Sequence, residues 1–459
     1  MTGYNAAMRL SPGRAARAAV LLAFVLAPTA TLAQAPGFAA ARPLAVRVTL
    51  PNGLVVLVAE RPALPIVVVR VALDGGAVLD PPGKPGLANL TALTLPRGTR
   101  GRSGPEIDRA IEFVGGSLDA EGGRDWNELS LSVLRRDLAL GLDLLADVLL
   151  RPTFPAEEVE RKREEVRASL RRSEEDPETV AARLFRRLIF ANHPYASPVP
   201  GTEESLARIT REDVSVFYAA RYRPETTVVS VVGDVTAGEV RTALGTRLGA
   251  WAVPPAAATT PAMAPLGAPA RTELVQRELT QASVYLGGAT VTRPHSDYYP
   301  LVLASQILGG GSSSRLYGRV REERGLAYSV YAQLAPARYG GLFLVGFQSE
   351  NGRVREVLAL VREELVRLRR ERVAEEELAR AKAYLVGSFP LRMDTNAELA
   401  SLLLVVEEFG LGLDYPARYR RAIEAVTAED VLRAVQAHWD PDAMSLAIVA
   451  NVREAGLAP

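Results

Sequence analysis

Ile209-Thr210-Arg211-Glu212-Asp213-Val214 and Val426-Thr427-Ala428-Glu429-Asp430-Val431 are two versions of one phrase, set 217 residues apart. The same spacing, without a gap, matches Pro224 to Pro441. It also matches Val231-Val232-Gly233-Asp234-Val235 to Ile448-Val449-Ala450-Asn451-Val452. Each copy reads as a threonine-capped helix with an acidic first turn, then a proline turn, then an apolar strand. One helix cap can recur by chance. A constant spacing from Ile209 to Val235 marks an internal duplication.

Working outward, Pro254–Pro269 holds five prolines among alanine and threonine and reads as a stiff, poorly ordered linker. It divides the chain into an N-terminal domain over 42–253, a linker over 254–270 and a C-terminal domain over 271–455. Strand signals rich in valine and aromatics fall at Gly53–Ala59, Pro65–Leu73, Glu128–Val133 and Val228–Gly233. In the second half they fall at Ala282–Gly288, Ala327–Leu334, Gly341–Gln348 and Ser445–Ala450. Amphipathic helices are predicted from Pro155 onward, over Val354–Arg370 and over Ala374–Val386. The fold class is therefore α+β: two homologous α/β sandwich halves, each with helices covering one face of its sheet.

Composition removes several functions. The 459 residues carry a formal net charge of +1, which leaves no basic footprint for nucleic acid. There is no cysteine, hence no disulfide, thiol nucleophile or thiolate metal site. At the N-terminus no acidic residue precedes Glu60. Arg9, Arg14 and Arg17 lead into an apolar run from Ala18 to Ala27, followed by Pro28 and the small residues through Ala33 and Ala35. This order predicts a signal peptide over residues 1–35 and an exported protein, periplasmic in a Gram-negative source. No later segment has the length of a membrane-spanning helix, so no membrane association is expected after cleavage.

Leu50-Pro51-Asn52-Gly53-Leu54, Pro82-Gly83-Lys84-Pro85-Gly86-Leu87-Ala88 and Asn192-His193-Pro194-Tyr195 resemble the pitrilysin/insulinase and mitochondrial-processing-peptidase family of zinc peptidases. The resemblance spans essentially the whole chain after the signal segment. It implies duplicated halves arranged as a clam-shell around a substrate chamber. It also implies an inverted zinc motif, H-x-x-E-H, directly after Gly-Leu-Ala. Those positions read Asn89-Leu90-Thr91-Ala92-Leu93, so both histidines and the glutamate base are replaced. The family's third ligand falls near Ser169, with Glu164 and Glu165 out of register on a charged helix face. The three histidines, His193, His295 and His438, are isolated in sequence and read as loop or capping residues. No metal is expected on this chain.

The second half runs Ile307-Leu308-Gly309-Gly310-Gly311-Ser312-Ser313-Ser314-Arg315-Leu316-Tyr317, then Arg321-Glu322-Glu323-Arg324-Gly325-Leu326-Ala327-Tyr328. A glycine-rich phosphate loop is an alternative, but the G-x-x-x-x-G-K-[ST] pattern is missing. The resemblance implies that Arg321 and Tyr328 point into the chamber, where a guanidinium and a phenol can bind peptide backbone and stabilise a developing oxyanion. It thus implies a zinc-less subunit, inactive alone. Zinc would sit on an H-x-x-E-H-containing homologous subunit, and peptides or unfolded chains would be the substrate of the heterodimer. A structural or peptide-binding subunit without proteolysis is the alternative. An unrelated serine hydrolase is disfavoured by the missing G-x-S-x-G elbow.

Overall fold

The computed structural model describes residues 43–253, 260–267 and 269–457. The signal segment expected at 1–35 lies outside the described residues. The first half contains β1 (Val46–Thr49), β2 (Val55–Glu60), β3 (Ile66–Leu73), α1 (Leu87–Thr94), α2 (Gly104–Phe113), β4 (Ser117–Glu121) and β5 (Asn127–Leu134). It continues with α3 (Leu138–Leu150), α4 (Ala156–Glu175), α5 (Pro177–Phe190), α6 (Glu203–Arg208), α7 (Arg211–Arg221), β6 (Thr227–Gly233) and α8 (Ala237–Leu248). The second half contains β7 (Thr272–Gln276), β8 (Gln281–Thr290), α9 (Tyr298–Gly309), β9 (Ala327–Ala337), β10 (Gly340–Glu350) and α10 (Val354–Arg370). After these come α11 (Glu375–Ser388), α12 (Asn396–Glu408), α13 (Tyr415–Ala425), α14 (Ala428–His438) and β11 (Ser445–Ala450).

The duplication is visible strand by strand. One sheet has the order β1-β2-β6-β3-β5-β4 and the other β7-β11-β8-β10-β9. Apart from the extra edge strand β1, directions match: β2–β6 and β7–β11 are the parallel pairs, and every other pairing is antiparallel. The helices α7 and α14 begin with matching capping boxes. Thr210 Oγ1 accepts from Asp213 N at 3.2 Å and Thr427 Oγ1 from Asp430 N at 3.1 Å. In return, Asp213 and Asp430 accept from the threonine amides at 2.8 and 3.0 Å.

Both faces of each sheet are covered, not one. In the first sheet Val56, Val58, Val67, Val69, Val229 and Val231 belong to the core of their own half. The alternating residues Leu57, Val68 and Val232 pack instead on Leu399, Ala400 and Leu403 of α12, from the second half. The exchange is reciprocal: α5 packs on β8 and β11 of the second sheet. Phe185 stacks on Tyr285 with centroids 5.9 Å apart. Ser230 Oγ donates to Ala400 O at 2.9 Å, and Gln348 Nε2 donates to Glu178 at 2.9 Å. This explains the near-continuous apolar runs of β6 and β11, since a strand covered on two faces needs no polar alternation.

The described part of the linker is pinned rather than loose. Ala264 N donates to Tyr339 O at 2.6 Å, and Ala262 O pairs with His193 Nε2 at 2.8 Å. No helix among the described residues is long and apolar enough to cross a membrane.

Candidate functional site

The helix that should carry the metal motif, α1, is preceded by its cap residue Gly86, whose backbone is left-handed (φ 95°). A Cβ there would meet Pro200 O at 2.7 Å, so only glycine fits the turn. Asp80 accepts from Gly86 N at 2.8 Å and Ala88 N at 2.7 Å, satisfying amides of the first turn. Burial nevertheless pushes the Asp80 carboxyl up to about 7, against those two donors. Asn127 Nδ2 fastens the helix from the other side through Ala88 O at 3.0 Å.

Asn89 and Leu93, one helical turn apart, both line a cavity of about 660 Å³. Ser169 on α4 lines it too, so the positions marked by the family resemblance converge on one cleft. Ala92 is fully buried beside them. The far walls are Phe185 and Arg186 of α5 and Leu342 and Leu344 of β10, so the helix crossing to the second sheet closes the cleft. Glu165 also lines this cavity, one turn before Ser169. The sequence places it out of register on a charged face, but four residues are one helical turn, so it shares the cavity side of α4 with Ser169. Its carboxylate is held by Lys162 at 2.8 Å and secondarily by Arg161, which keeps its pKa below the usual carboxylate range against the effect of burial. An amide, a hydroxyl and one salt-bridged carboxylate do not make the two-histidine, one-carboxylate set that zinc requires. The cleft does not fit the metal.

Elsewhere, the histidines are less isolated than their spacing suggests. His193 is buried and caps the next turn, with Nδ1 accepting from Tyr195 N at 3.1 Å. His295 and His438 meet edge to face at 5.2 Å, with ligand atoms of both and of Asp297 within 4.8 Å of one another. This convergence corrects the reading of isolated histidines. Asp297 is already engaged there by Arg433 at 2.7 Å and His438 Nε2 at 2.9 Å, and His295 Nδ1 accepts from Asp297 N at 3.1 Å. The group is closed by its own hydrogen bonds.

Arg321 lies on a π-helical segment, Tyr317–Glu322, a form that accompanies functional sites. Arg315 grips Glu377 in two bonds of 2.7 Å, and Arg319 reaches the wholly buried Glu364 at 2.6 Å, fixing the segment. Tyr328 sits at an irregularity of the edge strand: Ser329 pairs with Gln348 but Ala327 with Ser349, leaving Tyr328 as the extra residue of a bulge. The Arg321 guanidinium lies 4.5 Å from the Tyr328 ring centroid and 5.0 Å from that of Tyr317. Tyr328 is 79% exposed. Neither it nor Arg321 lines the emptied cleft.

A family model described as insulinase (peptidase family M16) matches residues 55–203, and one described as peptidase M16 inactive domain matches 208–385. An uncharacterized zinc protease of Mycobacterium leprae is 34% identical over 363 residues, 78% of this chain and 81% of its own. The chain belongs to peptidase family M16. Among M16 structures, a peptidase M16 inactive domain from Pseudomonas fluorescens superposes with TM-score 0.83 at 27% identity, covering 88% of this chain and 97% of that one. A Helicobacter pylori relative, 24% identical over 400 residues (87% of this chain, 92% of its own), is named a non-peptidase homolog. The M16 inactive-domain match, that relative and the unsuitable donor set of the α1–α4 cleft agree on an M16 chain without catalytic zinc.

Proposed function

We propose that the protein is the zinc-less subunit of an exported, two-chain metallopeptidase acting on peptides or unfolded chains. The observation that carries this reading is an asymmetry. The cleft keeps its place between α1 and α4 with its metal ligands replaced, while the Arg321–Tyr328 segment is held by buried ion pairs. Zinc, and the glutamate that activates its water, would come from an H-x-x-E-H partner. Arg321 and Tyr328 would supply donors to the scissile carbonyl as negative charge develops on it. The exposure of Tyr328 suits a residue that becomes covered only when a partner docks. Export rests on residues 1–35, with the periplasm as destination in a Gram-negative source.

The test is peptide hydrolysis by this chain alone, by an H-x-x-E-H homologue alone, and by the mixture. Activity confined to, or strongly enhanced in, the mixture is expected. Zinc-dependent hydrolysis by the isolated chain overturns the reading. The largely apolar cleft favours one other reading, a peptide-binding subunit with no part in proteolysis. In that case Arg321→Ala and Tyr328→Phe leave the rate of the mixture unchanged.

A further inference from the structure

The emptied cleft is not electrically quiet. Arg124, Lys162, Arg183 and Arg186 line it against a single carboxylate, Glu165. Lys162 pairs with Glu165 and Arg183 with Glu174, which leaves Arg124 and Arg186 as the cations without acidic partners in the cavity. Arg124 is fixed by donating to Tyr195 O at 3.0 Å and Ser197 O at 3.3 Å. Arg186 forms no hydrogen bond or ion pair among the described residues, and its neighbour is the Phe190 ring at 5.8 Å. Burial, and then the Arg124 charge, push Arg186 down to about 10, against the opposing pull of Tyr195 and Asp125. The acid whose charge reaches both, Asp125, is already engaged by Tyr195 Oη and by Arg338 N at 3.1 Å, so the half-buried guanidinium pair can still take up an incoming anion.

A second, independent observation comes from Asn89. It is 7% exposed, lines the cavity, and its carboxamide has no hydrogen-bond partner among the described residues. A carboxamide both donates and accepts, which matches a peptide unit. A fatty acid would leave it unsatisfied. Phe185, Leu342 and Leu344 offer an apolar wall, and a cavity of about 660 Å³ is of the size that encloses a small ligand.

We propose that this cleft captures the free C-terminus of a peptide ending in an apolar residue. The carboxylate binds Arg186 in the field of Arg124, the last peptide unit binds Asn89, and the terminal side chain lies against Phe185, Leu342 and Leu344. The position vacated by a metal ligand thus becomes a peptide-end receptor. This goes beyond the two-chain reading and is a property of this chain alone, so either can fail without the other.

The test is calorimetric titration of the isolated full chain with an N-acetylated alanyl-alanyl-leucine. The peptide is offered as the free acid and as the C-terminal amide, with dodecanoate as a third probe. The free acid is expected to bind at least about tenfold more tightly than the amide. Arg186→Gln should abolish that difference, and Ala182→Phe, which fills the cavity from α5, should remove binding of both forms. Equal affinity of acid and amide for the unaltered chain, no binding of the acid, or tighter binding of dodecanoate than of the peptide overturns the proposal. If Arg186→Gln does not fold, the acid–amide comparison on the unaltered chain and Ala182→Phe still decide it.

Discussion

The guanidinium of Arg321 lies over the ring of Tyr328 at 4.5 Å and over that of Tyr317 at 5.0 Å. Each such contact contributes about 0.5–1 kcal/mol at an exposed site. Arg321 is therefore oriented by aromatic faces, leaving its N–H edges free to donate. Tyr328→Phe keeps the stack and removes only the hydroxyl. It should leave the melting temperature unchanged and lower kcat of the reconstituted two-chain enzyme by about 100-fold or more, as loss of one oxyanion donor does. Arg321→Ala should lower kcat/KM further. Steady-state kinetics of the mixture, alongside thermal melts of each variant, check both.

Reinstating metal ligands should separate two obstacles. Asn89→His, Leu93→His and Ser169→Glu all face the cavity and should together confer zinc binding, read by metal analysis after dialysis. Adding Ala92→Glu places a carboxyl at a fully buried position and should destabilise the fold by roughly 2 kcal/mol or more in a denaturant titration.

Glu408 gives the fold a pH slope. Neither carboxylate oxygen has a hydrogen-bond partner among the described residues, and burial, then the Asp125 charge, pushes its pKa up to about 8. Asp74 opposes ionisation too, while Arg338 and Arg293 favour it. A folded-state value above the unfolded value of about 4.3 means the folded protein binds the extra proton. Stability from this group is full below about pH 4.3 and is lost as pH rises to about 8, a change on the order of a few kcal/mol. Asp80, raised to about 7, acts in the same direction. Glu408→Gln should flatten the dependence between pH 5 and 8, measured as melting temperature against pH.

Leu403→Ala, on the helix of the second half that covers the first sheet, should cost about 2–5 kcal/mol. Because the helices cross in both directions, the loss should appear in one cooperative transition. Calorimetry and a probe in the first half should report the same midpoint.

Much of the fold was legible because its signals are local. The threonine caps at 210 and 427 and the valine-rich strands repeat at fixed spacing. The short edge strands Val46–Thr49, Ser117–Glu121 and Thr272–Gln276 carry no clear strand signal, since each is short and polar or exposed along much of its length. Nor did the apolar faces of α5 and α12 declare which sheet they cover, because hydrophobic periodicity gives a face but not its mate. At the site, Asn89, Leu93 and Ser169 were marked by resemblance and do meet. Arg124 and Arg186 carry no motif, and their shared cavity exists only once α5 has crossed over. His295 and His438 lie too far apart in sequence for any spacing rule to join them.

That crossing has a consequence for the molecule as a whole. With α5 and α12 each completing a core belonging to the other half, the polypeptide resembles a domain-swapped dimer whose two members are covalently joined. A fragment ending before the proline-rich segment would present a bare sheet face and an orphan helix at once. That fragment and one carrying the second half, made together, should find each other, each acting as the chaperone of its counterpart.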